Sequence, residues 1–123
     1  PIACRAGLAV LDLLNEEMLE KATQLGEKVR ARFLDLQEEH EIIGDVRGLG
    51  PMIGIELVRD RGSKEPAADE TKELVKRCYE NGLVILSCGV YHNVIRILMP
   101  LVITDDQLER GLSIVEENLK RVS

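Results

Sequence analysis

Two short apolar runs, residues 83–86 and 94–99, flank a more polar stretch, and one arginine, Arg96, stands inside the second run between Ile95 and Ile97. Apolar runs of this length bounded by turn chemistry read as a β-hairpin over residues 82–101. Successive side chains of a strand point to opposite faces, so Arg96 faces away from its two neighbours. If that face is covered, the guanidinium needs a carboxylate, a set of carbonyls or an anionic ligand, because an unpaired buried charge is very costly. If the face is open, water or a surface salt bridge serves as well. Periodicity leaves these alternatives even. The planar guanidinium fork suits bidentate capture of a carboxylate.

The rest of the core has to be aliphatic. Apolar residues make up 45% of the 123 residues but aromatics only 2%, and a chain of this length supports one core rather than two. The net charge of -6 disfavours non-specific nucleic-acid binding, and so few aromatics leave no platform for stacking single-stranded bases. No nucleic-acid partner is expected. Cys4, Cys78 and Cys88 are odd in number and widely spaced, which argues against a disulfide framework or a metal knuckle and for a reducing, cytoplasmic setting. No apolar run approaches the ~18 residues of a membrane span, and the N-terminus lacks signal-peptide organisation, so no membrane partner is expected. Pro1 followed by Ile-Ala-Cys-Arg-Ala reads as the first turn of a helix cut from a longer protein.

Residues 1–14 carry small and apolar side chains on nearly every face, as a helix buried between other elements does. Asn15 is an N-cap candidate for a second helix with Glu16 and Glu17 in its first turn. Met18, Ala22, Leu25, Val29, Phe33 and Leu36 form the apolar stripe of that helix, which fades at Glu38, Glu39 and His40. Residues 43–51 are dense in turn formers, and residues 52–58 read as a strand. A loop over 60–66 leads to a helix opened by Pro66, with Thr71, Leu74, Val75 and Cys78 inward and Asn81-Gly82 as its stop. After the hairpin, Thr104 and Gln107 form a capping box that opens a last helix with Leu108, Leu112, Val115 and Leu119 on one face. The expected order is therefore helix, helix, strand, helix, strand, strand, helix. The third strand slots antiparallel between the first two in a small α+β sheet of split βαβ type, with helices on one face.

Most candidate chemistry has a plain structural reading. The glycines at 48, 50 and 54 superficially match a phosphate loop, yet they lead into a strand and not into a helix N-terminus. A tight turn, with Gly54 allowing close backbone approach, accounts for them. His40 and His92 have no ligand pattern around them. Cys88 lacks a committed base and reads as a packing residue. Asp105 and Asp106 suit the positive end of a helix.

Three motifs together carry a further signal: Pro-Ile-Ala-Cys-Arg-Ala-Gly-Leu-Ala-Val-Leu at 1–11, Ile-Gly-Asp-Val-Arg-Gly-Leu-Gly-Pro-Met-Ile-Gly-Ile-Glu-Leu at 43–57, and the hairpin stretch 82–101 ending Asn-Val-Ile-Arg-Ile-Leu-Met-Pro-Leu. In order and spacing the sequence resembles the C-terminal part of class III pyridoxal-phosphate-dependent aminotransferases, in particular their 4-aminobutyrate-type members. The resemblance implies a fold-type I enzyme, residues 1–14 being a connecting helix from a large domain and residues 15–123 the small C-terminal domain. It implies a homodimer that transfers an amino group from 4-aminobutyrate or a similar ω-amino acid to 2-oxoglutarate, with Arg96 binding a substrate carboxylate. Related members use ornithine or are racemases, so the amino donor stays open.

No lysine of this chain lies in a motif matching the family's Schiff-base lysine, so by the same resemblance pyridoxal phosphate belongs to the full-length enzyme. None is expected bound to this segment, and the segment alone is expected to be inactive and to self-associate or reposition residues 1–14. A non-catalytic ligand-binding or interaction module with a split βαβ sheet is the alternative, since small α+β sheets host many functions.

Overall fold

The computed structural model describes residues 1–122. In chain order the elements are α1 (Ile2–Leu13), α2 (Glu16–Glu39), β1 (Ile43–Leu49), β2 (Met52–Asp60), β3 (Glu65–Pro66), α3 (Ala68–Glu80), β4 (Leu86–Cys88), β5 (Val94–Leu98) and α4 (Asp105–Leu119). The main sheet has the order β1-β2-β5-β4, each neighbour antiparallel to the next, and β3 adds a short rung to β2. As expected, β5 lies between β2 and β4, antiparallel to both.

Three expectations need correction. Residues 43–49 form a strand and not a turn. A bulge between Ile43 and Asp45 sets the inward-facing Ile43 and Val46 three residues apart, which breaks the alternation that marks a strand. The turn chemistry is confined to Gly50 and Pro51, where Gly50 takes φ +52° at the first central position of a two-residue hairpin loop. Pro66 pairs with Val58 instead of opening a helix. The Ala67 N–H donates to Leu57 O, so the chain hugs β2 before α3 begins. Finally, β4 starts at Leu86 and not at Leu83. The Leu83 N–H closes the end of α3 on Cys78 O, which spends the start of the apolar run on a helix stop.

The other local signals operate as read. Asn15 accepts from the Met18 N–H, and Thr104 and Gln107 satisfy each other's backbone N–H in a capping box. Arg61 finishes α2 from outside, its guanidinium donating to the carbonyls of Gln37, His40, Glu41 and Ile43. Those are orphan acceptors of a helix end and of the strand that follows it.

The inner face of the sheet presents Val46, Ile53, Ile55, Leu57 and Ile95, all buried, to Val29, Phe33 and Leu36 of α2, Leu74 and Cys78 of α3 and Leu112, Val115 and Leu119 of α4 in one cluster. Burial pushes the Cys78 thiol up to about 11, as desolvation of a thiolate does, so Cys78 is a packing residue. Alongside α2, α4 is held by Lys28 to Asp105 at 3.3 Å and Glu109 at 2.9 Å, and by Arg32 to Glu116 at 2.6 Å. In contrast, α1 has no buried residue. Ile2, Leu11 and Leu13 are each about two-thirds exposed or more. Among the described residues no helix is long and apolar enough to cross a membrane.

Candidate functional site

Paired residues of an antiparallel ladder share a face, so the registers define what the other side of the sheet carries. One row across it is Arg47, Gly54, Arg96 and Leu86, on β1, β2, β5 and β4. A second row is Leu49, Met52 and Leu98; a third is Asp45, Glu56, Val94 and Cys88. Among the described residues no helix packs on this face. Leu49, Met52, Leu86 and Leu98 are all more than half exposed, and Arg96 stands among them.

The two arginines of the first row differ. Arg47 lies between Asp45 Oδ2 at 2.7 Å and Glu56 Oε2 at 2.6 Å, and these hydrogen bonds, Asp45 first, hold its charge more firmly. It thereby reconciles two carboxylates that the register sets directly opposite each other, an arrangement otherwise repulsive. Arg96 has no ion pair or side-chain hydrogen bond among the described residues. Gly54 beside it contributes no side chain, so the surface between the two arginines is clear. A Cβ there would meet only ordinary contacts, the nearest 3.5 Å from Val94.

Asn93 fixes this geometry. It is buried; its side chain donates to Leu57 O at 2.9 Å, and its own carbonyl accepts from the Leu57 N–H at 2.7 Å. The double tie sets the register of β5 on β2 and so places Arg96 opposite Gly54. Sequence reasoning assigned no role to Asn93, although its place just before the apolar run is where a strand-anchoring amide belongs.

From Arg96 onward β5 and the chain before β4 part. Their ladder ends at Leu86 with Arg96, and beyond it a half-open cleft of about 500 Å³ runs between residues 83–86 and 96–100, floored by α4. Its walls are aliphatic except for Arg96 and Gln107, and the Gln107 side-chain oxygen is occupied by the capping box.

The remaining candidates fall elsewhere. His40 caps α2, its N–H donating to Leu36 O, while His92 is exposed in the β4–β5 turn at φ +54°. Close backbone approach occurs at Gly48, where a Cβ would lie 2.2 Å from Met52 O, and not at Gly54. Cys88 is half-buried on the open face. Asp105 and Asp106 are in the first turn of α4. Among the described residues no group of three or more His, Cys, Asp or Glu side chains is arranged to hold a metal ion. Lys21, Lys28, Lys64, Lys72, Lys76 and Lys120 are all exposed, and none lines the cleft or lies on a strand of the open face. A carbonyl cofactor that needs a desolvated lysine beside the substrate does not fit the residues present.

Comparison with known proteins gives the setting of this site. The 5-aminovalerate aminotransferase of Pseudomonas aeruginosa is 50% identical over 118 residues, and the 4-aminobutyrate aminotransferase of Escherichia coli is 49% identical over 118 residues. Each alignment takes in 95% of this chain and 28% of the relative's length. The crystal structure of a Bacillus anthracis aminotransferase superimposes with a TM-score of 0.88 at 31% identity, over 98% of this chain and 28% of that one. The chain thus spans little more than a quarter of the proteins it matches. The family model described as aminotransferase class-III matches residues 1–119, and the chain belongs to that family.

Proposed function

We propose that this chain is the substrate-carboxylate-binding, C-terminal part of a pyridoxal-phosphate-dependent aminotransferase. The reaction moves an amino group from an ω-amino acid, such as 4-aminobutyrate or 5-aminovalerate, to 2-oxoglutarate. The names of the two bacterial relatives support the donor class. One observation carries the role of Arg96: it is a guanidinium with no ion pair or side-chain hydrogen bond among the described residues, on an uncovered sheet face beside the exposed Leu86 and Leu98. Both substrates of such a reaction carry a carboxylate, and one fixed fork that receives it serves both half-reactions while orienting the reacting end.

Residues 1–14 are the connecting helix and residues 15–123 the small domain. The groups that hold pyridoxal phosphate belong to the length by which the relatives exceed this chain, and the working enzyme is a homodimer in the cytoplasm. The test is Arg96→Lys in the full-length enzyme. A point charge in place of the bidentate fork should raise KM about tenfold or more for both the amino acid and the oxo acid, because a hydrogen bond to a charged group contributes roughly 1.5–3 kcal/mol. Unchanged KM values for both would overturn the assignment.

A further inference from the structure

The cleft beside Arg96 is not explained by an ω-amino acid. Such a substrate carries a charged or reacting amine at its far end, and an ammonium sent into an aliphatic cleft would be buried without a partner. The amino acid must therefore extend from Arg96 away from the cleft, which opens where the β4–β5 ladder ends. It is framed by Leu83, Ile97, Ile103 and Leu112, and Arg96 is the one charged group in its lining. Arg96 sits where the β4–β5 ladder ends, at the mouth of a space whose volume of about 500 Å³ falls within the usual range for small-molecule sites.

We infer that this cleft binds alkyl monocarboxylates, with the carboxylate on Arg96 and the hydrocarbon tail between the parted strands and α4. The inference rests on the reading of Arg96 as a carboxylate-binding group. Charge complementarity selects the headgroup, and the absence of any further charge along the walls selects an unsubstituted tail. Because the headgroup position is shared, such acids would compete with the amino acid and oxo acid in the full-length enzyme.

The test is calorimetric titration of the 123-residue chain with butyrate, hexanoate and octanoate, alongside octylamine. Burial of each methylene is worth about 0.8 kcal/mol, so affinity should rise about fourfold per added methylene, and octylamine should not bind. Arg96→Gln, at an exposed position, should weaken octanoate at least about tenfold. Gly111→Met tests the tail separately. A Cβ at Gly111 already stands 3.6 Å from Leu83 Cδ1, and a longer side chain enters the cleft, so this variant should flatten the chain-length series while leaving Arg96 in place.

A flat series in the parent chain, octanoate binding undiminished by Arg96→Gln, or an unchanged slope in Gly111→Met would each overturn the inference. The two readings fail separately. A flat series together with raised KM values in Arg96→Lys removes the cleft and keeps the substrate role. A steep, Arg96-dependent series together with unchanged KM values does the reverse.

Discussion

Arg47 and Arg96 flank the same glycine on the same face, and their surroundings give them opposite uses. The carboxylates of Asp45 and Glu56 consume Arg47, whereas Arg96 keeps its donors available. The sequence exposes Arg96, because a single charge stands out inside an otherwise apolar run. The same sequence conceals Arg47's role, because Glu56 becomes its partner only through the β1–β2 register. Glu116 shows a similar dependence on tertiary placement. Lys120, one turn away, and Arg32, from another helix, hold its carboxyl below the usual glutamate value of 4.5. A carboxyl whose folded pKa is lowered contributes stability that is present above its unfolded pKa and is lost as the pH falls through the folded one. Glu116→Gln should therefore be less stable than the parent at pH 7, and the difference should shrink progressively as the pH falls below the ordinary glutamate range. Urea denaturation at several pH values measures this; a gap that stayed constant down to pH 3 would contradict it.

At the scale of elements, helices were more legible than strands. The stripe of α2 and the capping box of α4 each lie within one segment, so periodicity and a few local hydrogen bonds define them. Strand β1 depended on its pairing with β2 and on a bulge that no local pattern announces. Helix α2 also contains a contact that only packing reveals. A Cβ on Gly26 would lie 2.2 Å from the backbone carbonyl group of Gly50 in the β1–β2 turn, while a Cβ on Gly7 in α1 would meet nothing within 4 Å. Alanine gains about 1 kcal/mol over glycine in a helix interior, but forcing a hairpin turn off a helix costs roughly 1–3 kcal/mol or more. Gly26→Ala should therefore destabilise the fold even though its helix propensity improves. Gly7→Ala should leave the melting temperature unchanged or raise it slightly. Thermal denaturation of the pair checks this, and equal behaviour of the two variants would show that the helix–turn contact is not tight.

For the whole molecule, the core is complete without residues 1–14: its members run from Val29 to Leu119, and none belongs to α1. Deleting residues 1–14 should shift the melting temperature by less than about 4 °C, the equivalent of under 1 kcal/mol for a domain of this size. A larger drop would mean that α1 docks on the core. The sequence by itself determined which segments are helical, where the capped helices begin, that one aliphatic core forms, and which family the chain resembles. These follow from period, composition and short-range capping, all of which are written along the chain. Only the tertiary structure decided that residues 43–49 pair with β2, that Asn93 sets the register, and that Arg96 stands unpartnered at the mouth of an apolar cleft. Each of these depends on which strand lies beside which, and a shift of one residue in the β2–β5 ladder would turn Arg96 from the open face into the core.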